Sequence, residues 1–305
     1  NNDDDGKETT AADVAVVVLV HSATGGVGLW ASEIAARRGG VVVGVVGHAH
    51  KIPVFQERIL PLCPAAQCFV RSSNPQQFAK DLQDAVVRAR LLHHSQQQQQ
   101  QQEHQEANKE DVDLSSLCGF RYESAHDLVE RGWGVDYVME SYGGPYFMPS
   151  LDLINPGGSL ATFGSTTYNG RGNNNRNRIA FLPLLWKYLT RPRIDPGCLT
   201  TRNIRVGGFN LIFLTQNEKE LRNALENCIQ CLSSNSSHAD HDDDNDDEHA
   251  KDDDDDPLAR VTPPVVGHVF EFDTQAVEAL QTLRSGKTVG KVVLTNPNNP
   301  LLQQQ

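Results

Sequence analysis

The chain has 305 residues, of which 38% are hydrophobic, and a formal net charge of −12 at pH 7. This length allows one or two domains with a sizeable buried core. Twelve Asp or Glu and one Lys fall within 238–256, so the remainder of the chain is close to neutral. The composition therefore offers no basic surface for nucleic acid, and the apolar runs are too short to predict a transmembrane segment.

Four segments are predicted to lie outside the folded core, because their composition cannot bury apolar surface. They are a disordered N-terminal segment (1–12), a Gln-rich insert (95–111), an acidic insert (233–257) and a disordered tail (296–305). The acidic insert lacks the glycine and glutamate spacing of an EF-hand, so we interpret it as a solvated loop rather than a calcium site.

The six cysteines indicate neither a disulfide framework nor a metal site. Cys228 and Cys231 have CxxC spacing, but they lie in a predicted helix and no second pair follows at zinc-finger distance. No signal peptide is evident. We therefore predict a reducing, cytoplasmic compartment and no bound metal.

The first part of the chain has the pattern strand, glycine-rich turn, helix, strand. Val14–Val20 and Val41–Val46 are apolar runs typical of strands buried on both faces, and Leu29–Arg38 has helical spacing. Glycines in the turn would let a diphosphate approach the backbone amides at the helix start, and the last glycine would let the helix pack on the strand. The pattern predicts a dinucleotide site, with an empty tight turn as the alternative. The predicted binding residues are Thr24, Gly25, Gly26, Val27 and Gly28.

The residues after the second strand lie where the adenosine ribose binds in such folds. Proteins selective for NAD usually place Asp or Glu there, but Gly47–Lys51 contains no carboxylate. Gly47 and Lys51 would instead suit a 2′-phosphate, so NADP(H) is favoured over NAD(H); the alternative is an ordinary exposed helix start. Arg71, after the next predicted strand, would border the adenine.

Alternating strands and helices continue along the chain and predict an α/β fold, a doubly wound parallel sheet with helices on both faces. Further strands are predicted at Ala66–Val70, Val135–Glu140, Ser159–Phe163, Ile204–Leu211, Val265–Phe272 and Val289–Leu294. Helices are predicted at Ile52–Leu60, Pro75–Leu92, Ser124–Arg131, Pro145–Ile154, Ile179–Leu189, Glu218–Leu232 and Thr274–Arg284. We assign 13–263 to a Rossmann domain and 264–295 to a separate strand–helix–strand unit.

Several of these motifs resemble one family. HSATGGVG (21–28), DYVMESYGG (136–144) and LDLINPGGSLATFG (151–164) are similar to landmarks of the zinc-independent medium-chain dehydrogenases/reductases, in the quinone oxidoreductase (zeta-crystallin-like) group. Thr200–Leu214 and Val289–Leu294 resemble the branch of the synaptic vesicle membrane protein homologues.

The resemblance implies zinc-independent reduction of a quinone, an enone or another activated carbonyl by NADPH. It places Ser141 near the nicotinamide ribose, the sequence Phe163, Gly164 and Ser165 under the cofactor, and Phe209 and Asn210 beside the nicotinamide. Core packing is the alternative for Phe209. The last parallel strand would pair across a homodimer, and no catalytic residue is assigned.

In this family a GroES-like barrel precedes the nucleotide loop, and the closing strands return to it. Nothing before Val14 can form such a barrel, so we expect a fragment, a split or wrongly delimited gene, or a protein that has lost half of its active site. A non-catalytic NADPH-binding module is therefore the alternative function. Two other classes fit less well: no tyrosine precedes a lysine by four residues, as in short-chain dehydrogenases, and the acidic residue usual in methyltransferases is absent after the second strand.

Overall fold

The computed structural model describes residues 15–101, 122–164, 185, 189, 191–210, 217–233 and 261–296. The predicted N-terminal segment and most of both inserts lie outside these ranges, as do Cys118, Ser165 and nearly all of the predicted helix Ile179–Leu189 and of the tail. No helix within the described ranges is long and apolar enough to cross a membrane.

Six parallel strands form the main sheet, in the order β3-β2-β1-β4-β5-β6. They are β1 (Val17–His21), β2 (Val41–Val46), β3 (Gln67–Val70), β4 (Val135–Glu140), β5 (Ile154–Thr162) and β6 (Arg205–Gly208). β1 lies between β2 and β4, with Val17 opposite Val41 and Val18 opposite Tyr137. The chain thus changes its direction of travel across the sheet between β3 and β4, as in a doubly wound fold. The predicted α/β class with a parallel sheet is confirmed.

The helices follow the strands in alternation. They are α1 (Gly28–Arg37), α2 (Ile52–Ile59), α3 (Pro75–Gln101), α4 (Ala125–Glu130), α5 (Phe147–Asp152), α6 (Pro196–Thr201) and α7 (Glu218–Ser233). Single 3₁₀ turns, Ala49–Lys51 and Gly144–Tyr146, precede α2 and α5. Ser124 caps α4 with a reciprocal capping box, which fixes where that helix begins.

The central strands carry the core. β2 is buried at all six positions, as its VVVGVV sequence predicts for a strand covered on both faces. The largest fully buried side chains include Phe55 of α2 and Phe78 of α3. The sheet is therefore a rigid platform, and its carboxyl edge is the place where a ligand would meet the chain.

Two predicted boundaries differ from the structure by more than three residues. α3 does not end at Leu92 but continues to Gln101, because glutamine is a good helix former and the helix is already nucleated. Residues 155–158, which separate the predicted helix Pro145–Ile154 from the predicted strand Ser159–Phe163, lie inside β5, whose pairing with β4 shifts register between Val135 and Tyr137. Across this shift β5 advances from Ile154 to Ser159 while β4 advances from Val135 to Tyr137, so 155–158 form an irregularity within the strand.

The C-terminal residues form a strand–helix–strand unit. It consists of β7 (Val266–Glu271), α8 (Phe272–Arg284) and β8 (Lys291–Thr295), and its two strands are parallel. Gly290 pairs with Gly25 in an isolated parallel bridge, and the Gly290 N–H donates to the Thr24 carbonyl over 2.9 Å. The unit is therefore joined to the glycine-rich turn.

A second junction lies at Thr262, just before that unit. The buried Glu33 carboxylate of α1 accepts from the Thr262 N–H and hydroxyl, each over 2.8 Å, and from Arg58 over 2.7 Å. Burial alone would raise the pKa of Glu33, but these hydrogen bonds hold it below its usual value. The carboxylate thus fixes the incoming C-terminal segment against α1.

Candidate cofactor-binding site

The turn after β1 has the geometry of an anion-binding helix start. The Gly25 N–H donates to the Ser22 carbonyl over 2.8 Å and closes the turn, and α1 begins without a side-chain cap. Among the described residues, no acceptor takes the N–H groups of Gly26 and Val27. Free amides at a helix N-terminus attract a phosphate, so the predicted turn residues fit a diphosphate.

Two glycines of the turn leave no room for a side chain. A Cβ atom at Gly28 would fall inside van der Waals contact of the Ser22 carbonyl oxygen, which confirms close packing of α1 on β1. A Cβ atom at Gly26 would lie 2.5 Å from Cδ and Cε of Lys291 and 2.8 Å from its Nζ. The Lys291 side chain therefore lies over the turn and brings a cation to the free amides.

Cations gather where β2 ends, around Gly47. Lys51 is almost buried, and its ammonium donates to the Gly286 carbonyl over 2.8 Å. Burial and the charge of Arg71 lower the pKa of Lys51. Burial and the charges of Lys51, His50, Lys287 and Arg71 likewise lower the pKa of His48. The region is electropositive, as a 2′-phosphate would require.

Predicted residues also meet at the ends of β4 and β5. The Ser141 hydroxyl donates to the Ser22 hydroxyl over 3.0 Å, which joins this end to the glycine-rich turn. A Cβ atom at Gly164 would lie 3.3 Å from the Ser141 carbonyl. A cavity of about 240 Å³ opens beside them, lined by Glu140, Gly143, Gly144, Phe147, Thr162, Gly164, Arg191, Pro192 and Ile194.

The remaining predicted residues, Phe163, Phe209 and Asn210, follow the carboxyl ends of β5 and β6. Phe163 follows β5 and donates its N–H to the Glu140 carbonyl over 3.0 Å. Phe209 follows β6, donates its N–H to the Thr162 carbonyl over 2.8 Å, and is 54% exposed. That exposure argues against the alternative of core packing for Phe209. Asn210 comes next in the chain. The contacts of Phe163, Phe209 and Asn210 with a cofactor stay predictions.

A buried histidine and a buried glutamate lie at the carboxyl ends of β1 and β4. His21 and Glu140 are both fully buried, with His21 Nδ1 3.9 Å from Glu140 Oε1. Glu140 Oε1 accepts from the N–H groups of Tyr142 and Gly143, over 2.9 and 2.8 Å. Burial lowers the pKa of His21 to about 3 and raises the pKa of Glu140. Burial thus disfavours the charged form of both groups, and Glu140 fixes the turn that follows β4.

Sequence reasoning missed one basic side chain at this edge, Lys291, and the contact that holds another, Arg71. Lys291 lies 263 residues after Gly28, and no local pattern joins the two positions. Arg71 was predicted to border the adenine, but its contact with Tyr142 of another strand end was not. Within the described ranges no group of three or more His, Cys, Asp or Glu could hold a metal ion.

Comparison with known proteins agrees with this architecture. No protein-family model and no curated protein matches the sequence. A mycobacterial protein solved as a complex with NADPH is 19% identical, with a TM-score of 0.50 over 94% of this chain and 58% of that chain. A quinone oxidoreductase of Pseudomonas syringae pv. tomato is 15% identical, with a TM-score of 0.51 over 94% of this chain and 59% of that chain. The fold is of the Rossmann type. The chain thus spans somewhat more than half the length of these similar proteins.

Proposed function

We propose that this chain is the cofactor-binding part of an NADPH-dependent, zinc-independent oxidoreductase of the quinone reductase or enone reductase type. When bound, the nicotinamide supplies a hydride to a quinone or another activated carbonyl. The observation that carries the proposal is the uncapped start of α1, where free amides of the glycine-rich turn lie under the Lys291 side chain. The solved structures with this fold include an NADPH complex and a quinone oxidoreductase.

The residues of the chain divide the work of binding. The amides of Gly26 and Val27 and the Lys291 ammonium would hold the diphosphate, with support from the α1 dipole. Gly47 leaves room for the adenosine ribose, and the cations around it favour a 2′-phosphate. Gly164 lines the cavity and Ser141 lies beside Gly164, where the nicotinamide would be oriented and water excluded.

A non-catalytic NADPH-binding module is the second candidate. It is favoured by the 58% and 59% coverage of the similar proteins, since the rest of their length has no counterpart in this chain. A catalytic barrel outside this chain would restore the reductase proposal. We further propose membership of the synaptic vesicle membrane protein homologue branch, a cytoplasmic location, and a homodimer through β6, which is the last strand in the sheet order.

The test is a fluorescence titration of the purified chain with NADPH. We expect binding, and about tenfold weaker binding by Lys291→Met, because a charge-assisted phosphate contact contributes about 1.5 kcal/mol or more. Lys219→Met removes an exposed lysine of α7 and serves as the matched control, with no change expected. Circular dichroism checks that each protein is folded.

The outcomes separate the two candidates. A folded chain that binds no NADPH refutes both. Binding without turnover of any quinone or enone, in the longest protein that the natural transcript encodes, supports the module and refutes the reductase. Binding with quinone-dependent NADPH oxidation supports the reductase.

A further inference from the structure

Arg71 is held on an aromatic surface at the carboxyl edge of the sheet. It follows β3, and its backbone N–H donates to the Val46 carbonyl over 2.8 Å. Its guanidinium carbon lies 3.4 Å from the centre of the Tyr142 ring and 5.2 Å from that of Tyr146. The two rings meet edge to face at 5.1 Å. A guanidinium stacked on a ring in this way is positioned through cation–π attraction.

The Arg71 head group is an available cation. Within the described ranges, no carboxylate or carbonyl oxygen accepts from its guanidinium. It points to the predicted ribose position, because its Nη2 lies 3.9 Å from where a Cβ atom at Gly47 would stand. Lys51, in contrast, already donates to the Gly286 carbonyl and is almost buried.

In the described part of the chain, the structure records no exposed carboxylate as an interaction partner of Arg71. The charge of Arg71 lowers the pKa of both Lys51 and His48. Lys287 also lowers the pKa of His48, so further positive charge is disfavoured here. Glu140 is the acidic group that feels Arg71, but it is fully buried, and burial raises its pKa. A group of cations without a carboxylate favours an anion brought by a ligand.

We infer that Arg71, held in place by the Tyr142 ring, binds the 2′-phosphate of NADPH and sets the preference for NADPH over NADH. The inference rests on the proposed function. Arg71 presents two parallel N–H groups to a phosphate, whereas Lys51 supplies a single ammonium with one hydrogen bond already committed. Tyr142 is the positioning residue, because stacking selects the side-chain conformation that faces Gly47.

The experiment measures the dissociation constants of NADPH and NADH for five proteins. Arg71→Gln removes the charge, Tyr142→Leu removes the ring, and Tyr142→Phe keeps the ring without the hydroxyl. Arg88→Gln, an exposed arginine of α3, is the matched control. Adenosine 2′,5′-bisphosphate and adenosine 5′-monophosphate serve as second probes, because they carry no nicotinamide and no diphosphate.

For Arg71→Gln we expect NADPH binding to weaken about 10- to 100-fold while NADH binding changes less than about twofold, since charged hydrogen bonds contribute about 1.5–3 kcal/mol. Tyr142→Leu should lower the ratio of the NADH to the NADPH dissociation constant about tenfold, and Tyr142→Phe should leave that ratio unchanged. A ratio of the two constants that is unchanged in Arg71→Gln, or equal weakening of both cofactors, overturns the inference while the proposed function stands. Failure of the wild-type chain to bind either cofactor instead refutes the proposed function.

Discussion

His21 allows a direct test of how a polar residue is buried under the glycine-rich turn. It is fully buried, and its Nε2 lies 2.9 Å from the Ser150 hydroxyl oxygen. That hydroxyl already donates its proton to the Tyr146 carbonyl over 3.0 Å, so His21 must donate from Nε2. Among the residues that the structure describes, its Nδ1 has no hydrogen-bond partner. Protonation at Nδ1 would place a positive charge in the core, where Glu140 Oε1 lies 3.9 Å away and burial disfavours the charged imidazole.

The cost follows from the pKa. Burial, together with the charge of Arg71, lowers the pKa of His21 from 6.5 to about 3. As the pH falls below 6.5, the unfolded chain takes up a proton that the folded chain cannot, so the free energy of unfolding falls by about 1.4 kcal/mol per pH unit. The loss reaches on the order of 5 kcal/mol near pH 3. Glu140 acts in the opposite direction, because burial raises its pKa.

Urea unfolding at pH 7, 6, 5 and 4 measures this effect in the wild type and in His21→Gln, which keeps a donor but does not titrate. At pH 7 the variant should be less stable by about 1–2 kcal/mol, from altered packing and hydrogen bonding. The wild type carries the His21 imidazole and the variant does not. The difference between their free energies of unfolding should therefore shrink as the pH falls and reverse by about pH 5. Glu140 is present in both proteins, so the difference between them reports on His21 together with its interaction with Glu140.

The exposed His126, whose side chain is 75% exposed beside Glu130, provides the control. His126→Gln should leave the pH dependence within about 0.5 kcal/mol of the wild type, since a surface ion pair contributes little. If His21→Gln follows the same pH dependence as the wild type, then His21 is protonated as easily in the folded chain as in the unfolded one. The assignment of a neutral, buried imidazole would then be wrong.

Two further changes test the packing around the glycine-rich turn. Gly28→Ala should lower the free energy of unfolding by about 3 kcal/mol in thermal unfolding, because its Cβ atom meets the Ser22 carbonyl; Gly207→Ala, with open space around it, is the control, and equal effects would contradict the reasoning. Arg58→Met should cost about 2 kcal/mol and speed proteolysis before β7, because it removes an ionic partner of the buried Glu33. Unchanged stability and proteolysis would show that the junction does not depend on this ion pair.

The sequence predicted the local units well where one interaction dominates. The bounds of β2 and β4 agree with the prediction residue for residue, because β2 is an unbroken apolar run that ends directly before Gly47 and β4 begins directly after Gly134. The glycine-rich turn was equally readable, since Gly28 fits only where helix and strand touch. These features depend on neighbours within about thirty residues of the chain.

Boundaries failed where two local preferences compete. The glutamines after Leu92 have a composition typical of disorder, but they also propagate a helix that has already formed, and the structure describes helix to Gln101. The segment 155–158 reads as a turn, yet it lies inside β5, where the Asn155 side chain bonds to the Gly134 N–H and to Asp136 of β4. In both places the boundary of the element depends on tertiary or cooperative interactions, which composition alone does not reveal.

The arrangement of cations at the candidate site could not be predicted from the sequence. Its cations come from three distant parts of the chain: Lys51 before α2, Arg71 after β3 and Lys291 at the start of β8. Their sequence positions indicate only that each is basic. Burial of Lys51 under Gly286 and the stacking of Arg71 on a ring decide which cation is available to a ligand. A nucleotide turn can therefore be read from a short motif, whereas the choice between NADPH and NADH depends on contacts that only the folded chain creates.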